Sequence, residues 1–349
     1  MGSGPRIAID AMGGDSGPPA MIAGAARAHK RRTDLNFLLL GDEAAIRAEL
    51  GKHPKLAAVS DIVHCPDVIT AEDKPTQAIR RAKTTSMGRA IAAVKSRDAD
   101  AAVSAGNTGA LMAMSKLALR TMPGIHRPAL AALLPTLGEN DLVMLDLGAN
   151  TESDAGNLVQ FAVMGAAYAR VVLDLEQPRV QLLNIGTEEL KGTDELKEAA
   201  AILRAAADDL GMRFDGFIEG DKLSRGDVDV VVTDGFSGNI ALKSLEGTAR
   251  FVTDLLKRAF TSSVRSKIGF LISRPATELL RHHLDPNNHN GAVFLGLNGL
   301  IVKSHGSATD KGVANAIRVA ARMVRKDLTN KISEDLGHIS AQRDKVAAQ

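Results

Sequence analysis

The sequence predicts a three-layer α/β/α fold built on a doubly wound, mostly parallel β-sheet. At least six short apolar segments end in a glycine-containing turn, and most of these turns lead into a helical pattern, which is the alternation of a doubly wound sheet. The apolar segments are nearly continuous rather than alternating, as is typical of strands covered on both faces. A chain of 349 residues is also long enough to bury a large core.

The first part of the chain alternates between strands and helices. Apolar runs at 7–10, 35–40 and 62–64 predict the first three strands. Residues 11–19 form a turn rich in glycine and proline, and a helical pattern extends from there to about Arg32. This part of the sequence therefore predicts repeated strand-turn-helix units.

Later segments add two hairpins to this pattern. Apolar runs at 128–135 and 142–147 flank a polar turn and predict one hairpin, and the run at 292–302 predicts two strands around an Asn-Gly turn. We expect a single domain over residues 1–330, followed by a polar tail at 331–349 that frays.

Two stretches have nearly the same sequence. Residues 98–110 (DADAAVSAGNTGA) and 227–239 (DVDVVVTDGFSGN) align at a constant offset of 129. Each reads as a buried strand, a turn of small and hydroxyl residues, and the start of a helix, where free backbone N–H groups can bind an anion. Ligands of doubly wound sheets bind outside the carboxyl ends of the strands. We therefore expect all the glycine-containing turns to share one edge, with the two stretches facing one anionic ligand.

Composition excludes several classes of partner and site. The net charge is only +2, with one tyrosine and no tryptophan, so the sequence lacks the basic field and the aromatic platform of a nucleic-acid-binding protein. Its single cysteine, Cys65, excludes an internal disulfide and a cysteine-rich zinc site and is typical of a reducing compartment. Neither a signal peptide nor an apolar run long enough to span a membrane is present, so a cytoplasmic protein is expected.

Several catalytic motifs are missing, and a set of small-residue turns remains. The sequence has no GxxxxGK[ST] loop, no GxGxxG after a strand and no GxSxG elbow, and His282, His283 and His289 are not at metal-ligand spacing. Turn geometry alone explains any single glycine-rich turn. Together, however, the turns predict a site that holds an oxyanion by hydrogen bonds, with Lys191 and Lys243 as candidate countercharges. The turns are AMGGDSG, SAGNTG, LGANTES, NIGTEELKG, EGDK, TDGFSGN and SHGSA.

The motifs IDAMGGDSGP, SAGNTGA, LDLGANTES, NIGTEELKG, TDGFSGN and GLNGLIVKSHG, in this order, carry a family resemblance. From about Ile7 to Arg325 the chain resembles the bacterial phosphate acyltransferases (acyl-ACP:phosphate acyltransferase, the PlsX family). The resemblance implies transfer of a long-chain fatty acyl group from acyl carrier protein to inorganic phosphate, giving acyl phosphate for a downstream glycerol-3-phosphate acyltransferase. It also implies a homodimer and a fold akin to phosphotransacetylases and isocitrate-type dehydrogenases.

The chemistry of such a transfer fits the residues without any catalytic triad. Phosphate is already anionic at neutral pH, and the leaving thiol has a pKa of about 8.5, so neither needs much help from a base or an acid. The reaction needs phosphate held against the thioester carbonyl and donors aimed at the developing oxyanion. Turns of glycine, serine, threonine and asparagine with one lysine meet this need, and no cofactor is expected.

Two residues are the candidates for catalysis. We expect Lys191 to neutralise phosphate or the oxyanion and Asn239 to donate a hydrogen bond to the carbonyl oxygen. The predicted phosphate- and substrate-binding residues are Ser104, Gly106, Asn107, Thr108, Gly109, Asn150, Thr187, Asp234, Ser237, Gly238 and His305.

Asp10, Asp146 and Asp234 each follow a predicted strand, and two interpretations of them remain open. They can orient the lysine and the backbone donors, or they can bind a divalent metal as in the related dehydrogenase fold. The first is favoured, because the reaction needs no Lewis acid.

Residues 250–285 differ from the rest and predict a helical protrusion. The segment from Arg250 to His283 contains seven lysines and arginines and two acidic residues, which give it a net charge of +5. This protrusion can be a solvated arm with a dimer-packing stripe, a peripheral membrane anchor, or a docking surface for acyl carrier protein, although Arg80, Arg81 and Lys83 could equally serve the last role. The candidate membrane contacts are Ile268, Phe270, Leu271 and Ile272, with Arg265, Lys267 and Arg274 at phosphate level.

The sequence is also compatible with three other functions. A short-chain phosphate acyltransferase would carry out the same reaction with coenzyme A thioesters. A decarboxylating dehydrogenase of the isocitrate type would share the fold without a GxGxxG motif. A lipid or phosphate sensor would bind the ligands without turnover.

Overall fold

The computed structural model describes residues 4–347, in which strands and helices alternate along the chain. The strands are β1 (Arg6–Asp10), β2 (Asn36–Gly41), β3 (Ser60–His64), β4 (Ala101–Ser104), β5 (Ala129–Leu134), β6 (Leu142–Leu145), β7 (Arg179–Leu183), β8 (Arg213–Ile218), β9 (Val230–Val232), β10 (Ala292–Leu295) and β11 (Leu300–Lys303). The helices are α1 (Pro18–Arg31), α2 (Glu43–Leu50), α3 (Pro54–Ala57), α4 (Pro75–Arg80), α5 (Ser86–Ser96), α6 (Thr108–Leu119), α7 (Ala155–Val172), α8 (Asp194–Ala206), α9 (Gly235–Thr261), α10 (Val264–Ile272), α11 (Arg274–Leu284), α12 (Asp310–Arg325) and α13 (Leu328–Ala347).

The strands of the described residues form one sheet in the order β3-β2-β1-β4-β11-β10-β5-β6-β9-β7-β8. Most neighbouring strands are parallel, and the antiparallel pairs are β11–β10, β10–β5 and β5–β6. Two of these pairs are the predicted hairpins. The predicted fold class, a mostly parallel α/β sheet, is confirmed.

The antiparallel pairs reverse the strand direction between the two halves of the sheet. β1, β4 and β11 are parallel to one another, whereas β6, β9 and β7 run in the opposite direction. The prediction that all the glycine-containing turns share one edge is therefore wrong. At about 4.8 Å per strand, the five steps from β4 to β9 also place the two similar stretches roughly 24 Å apart across the sheet.

Helices cover both faces of the sheet, which explains why its strands are apolar on both sides. On one face α1, α7 and α12 pack around residues such as Phe161 and Tyr168. On the other face α5 and α6 cover the first half of the sheet, and the start of α9 packs through Leu242 and Leu245. The core thus fixes the strand ends where the turns begin.

The region predicted to protrude, at about 250–285, is helical. It comprises the end of α9 with α10 and α11, and none of the residues of α10 and α11 is buried. Phe270 contacts Phe260 with ring centroids 5.4 Å apart, so α10 folds back on α9. None of the helices in the described part of the chain is long and apolar enough to cross a membrane.

The C-terminal segment differs from the prediction. Residues 331–349 were expected to form a fraying polar tail, but residues 331–347 belong to helix α13, and the last two lie outside the described residues. Ile332 and Leu336, one turn apart, are buried against the core, and Asp335 pairs with Arg170 of α7. The apolar residues at this spacing dock the helix although the segment is polar overall.

Candidate active site

The glycine-containing turns form two clusters on opposite edges of the sheet. Cluster 1 consists of the turns after β1, β4 and β11, residues 10–15, 104–109 and 303–307. Cluster 2 consists of the turns after β6, β7 and β9, residues 146–150, 184–193 and 233–239. Each cluster gathers turns from parallel strands that are close neighbours in the sheet, so each is built as strand-end ligand sites are.

Asp10 and Ser104 organise cluster 1. The Ser104 hydroxyl donates to Asp10 Oδ2 over 2.6 Å and accepts from the Gly106 N–H over 3.1 Å. Burial raises the pKa of Asp10, and the Ser104 hydrogen bond offsets part of this shift. Asp10 Oδ1 and the hydroxyl of nearby Ser86 are buried, and within the described residues neither makes a hydrogen bond of good geometry.

Asn107 fixes the start of α6 in cluster 1. Its side-chain oxygen accepts from the Ala110 N–H over 3.0 Å, and its amide group donates to the carbonyls of Ala71 and Asp73 at 2.9 and 3.1 Å. The side chain is thus engaged in hydrogen bonds within the protein, and its role as a phosphate ligand stays a prediction. The backbone N–H groups of Thr108 and Gly109, which begin the helix, have no partner within it and point outward from its first turn.

Lys303 lies in cluster 1 at the end of β11, and sequence reasoning missed it. Only 9% of the residue is exposed, and its ammonium donates to the carbonyl oxygens of Ala105 and Ser304. Burial lowers the pKa of Lys303 to about 8, and the positive charge of Lys243 on α9 adds to this effect, whereas Asp10 opposes it. In the sequence Lys303 follows an apolar run, where a charged residue usually marks an exposed strand end.

His305, a predicted substrate-binding residue, lies next to Lys303 and is half-buried. Its Nδ1 accepts from the Ser307 N–H at 3.2 Å and lies 2.9 Å from the Ser307 hydroxyl, so this tautomer carries its proton on Nε2. Desolvation lowers the pKa of His305, and the charge of Glu246 on α9 partly offsets the shift. A neutral His305 can therefore donate from Nε2.

Asp146 organises cluster 2. Its Oδ1 accepts from the N–H groups of Leu130, Gly148 and Ala149, and its Oδ2 accepts from the backbone and side-chain N–H groups of Asn150. Burial raises the pKa of Asp146, and these bonds oppose the shift. Asp146 thus orients backbone donors, as one of the two interpretations expected, and Asn150 is held by Asp146 and the Pro128 carbonyl.

The first turn of α9 completes the centre of cluster 2. Asp234 caps the helix by accepting from the Ser237 N–H at 2.8 Å, so its carboxylate occupies the position that an anion would need. A Cβ on Gly235 would lie 2.1 Å from the Asn150 carbonyl oxygen, which shows how closely the two turns pack. Asn239 is exposed, and its amide donates to the Leu147 carbonyl over 3.3 Å.

Lys191 lies at the end of a closed loop in cluster 2. Asn184 joins the two ends of the loop: its side chain accepts from the Ile185 N–H over 2.8 Å and donates to the Lys191 carbonyl over 3.2 Å. Gly192 has φ 88°, and a Cβ there would meet Asn184 Oδ1 at 2.4 Å. The loop presents Lys191 and Thr187 to solvent, and no carboxylate of the described residues pairs with the Lys191 ammonium.

The predicted site residues therefore fall into two sets. Cluster 1 holds Ser104, Gly106, Asn107, Thr108, Gly109 and His305, and cluster 2 holds Asn150, Thr187, Lys191, Asp234, Ser237, Gly238 and Asn239. The start of α9 lies in cluster 2, and the charges of Lys243, Glu246 and Arg250 farther along this helix act on His305 in cluster 1. Among the side chains that the structure describes, no group of three or more His, Cys, Asp or Glu residues is arranged to hold a metal ion.

The comparisons with known proteins agree with the family resemblance. A family model described as a fatty acid synthesis protein matches residues 5–331. The chain belongs to this family. A phosphate acyltransferase from Erythrobacter litoralis is 69% identical over 335 residues, which cover 96% of this chain and 94% of the relative. A phosphate acyltransferase from Parvibaculum lavamentivorans is 54% identical over 350 residues, which cover 100% of this chain and 96% of the relative.

Solved structures of phosphotransacetylases share the fold of this family member. The enzyme from Staphylococcus aureus has a TM-score of 0.59 at 17% identity, and the one from Streptococcus pyogenes has a TM-score of 0.60 at 18% identity. Each alignment covers 93% of this chain and 95% of the solved chain. At such identities the likeness shows the fold alone. The predicted family and the predicted enzyme class, an acyltransferase, are confirmed.

Proposed function

We propose that this acyltransferase transfers a long-chain fatty acyl group from acyl carrier protein to inorganic phosphate and releases acyl phosphate. A phosphate oxygen attacks the thioester carbonyl carbon, the carbon-sulfur bond breaks, and the carrier leaves as its thiol. The reaction needs positioning and oxyanion stabilisation rather than a strong base. The polar turns of both clusters suit this demand.

The apolar surroundings of cluster 2 support a long-chain donor, and this observation carries the proposal. Ile185 and Leu190 are 81% and 89% exposed in the loop after β7, and Phe236 and Ile240 are 62% and 53% exposed at the start of α9. An alkyl chain that covers such side chains gains about 0.8 kcal/mol for each buried methylene. An acetyl group would leave most of this surface uncovered.

The predicted catalytic pair fits the thioester side of the reaction. The Asn239 amide carries two N–H groups, and its bond to Leu147 uses one of them, so the other can donate to the carbonyl oxygen. The exposed ammonium of Lys191 can stabilise the oxyanion that forms during attack. Both groups lie beside the exposed apolar side chains.

The helix start in cluster 1 suits phosphate better than the helix start in cluster 2. The helix that begins in cluster 1 is capped by the neutral Asn107, whereas the helix that begins in cluster 2 is capped by the carboxylate of Asp234. A carboxylate at a helix N-terminus repels a second anion, and a neutral cap does not. We therefore propose that phosphate binds to the backbone N–H groups of Thr108 and Gly109, whereas the Ser104 hydroxyl is buried and already donates to Asp10.

We infer that two subunits combine these clusters. The edges lie too far apart within one chain for phosphate in cluster 1 to touch a carbonyl beside Asn239. In a homodimer, cluster 1 of one subunit can face cluster 2 of its partner. The two-fold axis then creates the same pairing a second time, with the roles of the subunits exchanged. Phe251 and Leu255 extend the exposed apolar stripe of α9 and are available to pack against the partner.

Acyl carrier protein, as an acidic partner, would dock on a basic surface. Arg80, the last residue of α4, and Lys83, between α4 and α5, are exposed, and α4 packs against α6. Arg81 is less available, because it bonds to Asp73 and to the Val68 carbonyl. We place the enzyme in the cytoplasm with the arm in peripheral contact with the membrane, where a glycerol-3-phosphate acyltransferase would consume the product.

The direct test is the product itself. The protein is incubated with palmitoyl-acyl carrier protein and phosphate, and acyl phosphate is trapped as the hydroxamate with hydroxylamine. We expect hydroxamate with this donor and at least tenfold less with acetyl-coenzyme A. Lys191→Ala and Asn239→Ala should each lower kcat roughly 100-fold or more, whereas Lys197→Ala, on the neighbouring helix α8, should not. An intact donor with no hydroxamate would refute the proposal, and near-normal rates in both variants would refute the assigned roles.

A further inference from the structure

We propose that Lys303 binds inorganic phosphate in cluster 1, opposite the first turn of α6. This inference rests on the proposed function for its ligand, and it adds a residue that neither the motifs nor the family comparison singles out. It assigns to the buried lysine the role of the cation that holds the nucleophile.

The surroundings of Lys303 require an explanation. Removing an ammonium from water is costly unless the charge is paired. Within the described residues Lys303 forms no ion pair, and its donors meet only the carbonyl oxygens of Ala105 and Ser304. The Ala105 contact is long, at 3.4 Å. A lysine placed here without a carboxylate partner is what an anion-binding site needs.

The turns after β1 and β4 pack closely beside Lys303, which brings its ammonium near backbone groups. A Cβ on Gly13 would lie 2.8 Å from Asp10 Oδ2 and 2.9 Å from the Gly106 nitrogen, so the turns after β1 and β4 pack closely, with the Asp10 carboxylate beside them. The Lys303 contact with Ala105 places its ammonium beneath the turn that leads into α6. The N–H groups at the start of this helix and the ammonium can therefore act on one anion.

The charges facing Lys303 come from three elements. Asp10 at the end of β1 and Asp15 in the following turn are acidic, and Lys243 on α9 is basic. Lys243 pairs with Glu246 at 2.9 Å, so it has a carboxylate partner that Lys303 lacks. His305 adds a neutral N–H donor beside them. In the described part of the chain, Lys303 is thus the cation of this group that makes no ion pair, as the proposed ligand of a small oxyanion requires.

The main alternative is a purely structural lysine that ties the turn after β4 to β11. The two roles differ in what they predict for phosphate. A structural lysine would lower stability when removed and leave the phosphate affinity of the folded protein unchanged. A phosphate ligand would set that affinity directly.

The test measures phosphate binding without any acyl donor. Isothermal titration with inorganic phosphate is carried out on the wild type, Lys303→Met and Lys243→Met. A charge-assisted hydrogen bond supports a loss of roughly 10- to 150-fold in affinity for Lys303→Met. Lys243→Met should change affinity less than fivefold, because its charge is already paired. The KM for phosphate should rise with the same ratio in the acyl transfer assay, and the KM for the acyl donor should not.

The outcomes separate the Lys303 inference from the proposed function. Unchanged phosphate affinity in a folded Lys303→Met protein would overturn the inference, as would an equal loss in Lys243→Met. If Lys303→Met fails to fold, Lys303→Gln keeps a donor to the two carbonyls and is judged by the same affinity criterion. Phosphate binding that depends on Lys303 without any acyl phosphate formation would refute the proposed function alone. Acyl phosphate formation with an unchanged phosphate KM in the variant would refute the Lys303 inference alone.

Discussion

Gly238 in the first turn of α9 touches the backbone of Asp146 so closely that a Cβ there would lie 1.9 Å from the Asp146 carbonyl oxygen. This contact sets the position of α9 relative to the turn after β6. Because Asn239 is the next residue, the same contact determines where its amide group lies. The geometry of cluster 2 therefore depends on a residue that has no side chain.

Gly238→Ala should damage both stability and activity. The methyl group cannot fit, so the start of α9 must move away, at a cost of about 1–3 kcal/mol or more for overpacking. We expect a lower free energy of unfolding by urea denaturation and a kcat at least tenfold lower. Gly247→Ala is the matched control, because a Cβ there meets nothing within 4 Å. It should raise stability by up to about 1 kcal/mol and leave kcat unchanged. Similar effects of the two variants would contradict the role of the contact.

Lys303 should reduce stability at neutral pH. Its pKa is about 8 in the folded protein, below the ordinary value of 10.5 that applies to the unfolded chain. Between these values the unfolded chain binds more protons, so the free energy of unfolding rises with pH from about 8 to 10.5, and below pH 8 the full penalty is present. A shift of this size corresponds to roughly 3 kcal/mol at most.

The measurement is urea denaturation of wild type and Lys303→Met in phosphate-free buffer at several pH values. Lys303→Met should be the more stable protein at pH 7, by less than the full penalty because two carbonyls lose their donor. The difference should shrink as the pH approaches 10.5. The prediction would be contradicted if the wild type were more stable than Lys303→Met at pH 7 and the difference in free energy of unfolding did not change with pH.

Local patterns predicted the elements of this fold well, whereas strand direction depends on distant pairing. The apolar runs located the strands, and the turn residues located both hairpins. The sequence does not show that β6, β9 and β7 run opposite to β4, because a buried strand reads alike in either direction. The shared edge expected for residues 98–110 and 227–239 was wrong for this reason.

The burial of Lys303 could not be predicted from the sequence for a related reason. Its burial comes from the neighbouring turn at Ala105 and from α9, which are far from it in the chain. A lysine after the run LIV looks like an ordinary strand end. By contrast, the residues around Asp146 and Asp234 were recognisable, because a carboxylate followed by small residues is a local capping signal.

Mixed dimers test whether the site combines two subunits. Lys303→Met removes the proposed phosphate ligand of cluster 1, and Lys191→Ala removes the proposed cation of cluster 2. If each site combines clusters from different subunits, a purified heterodimer of the two variants has one site with both residues intact and one site that lacks both. It should therefore recover about half of the wild-type activity. Differently tagged subunits allow its isolation. A heterodimer as inactive as either parent would show that each site lies within one chain.

The exposed apolar residues of α10 should mediate contact with membranes. Leu271 and Ile272 are exposed at the end of α10, next to Arg274 at the start of α11. Phe270 is a poorer site for substitution, because it packs against Phe260. We expect Leu271→Asp with Ile272→Asp to lower binding to vesicles of anionic phospholipid at least tenfold, since each side chain contributes about 1.5–3 kcal/mol when buried in an apolar phase. Sedimentation with vesicles measures this partition.

The matched control for this substitution carries the same added charge on another surface. Leu117 and Leu137 are 65% and 84% exposed, close to the 68% and 79% of Leu271 and Ile272, and they lie outside the arm. Leu117→Asp with Leu137→Asp should therefore leave vesicle binding unchanged. Acyl transfer from soluble palmitoyl-acyl carrier protein should also stay within twofold of wild type in the α10 variant, because α10 belongs to neither cluster. Equal vesicle binding by the α10 variant and the wild type would assign the apolar face of α10 to packing between subunits instead, and the variant would then sediment as a monomer in analytical ultracentrifugation.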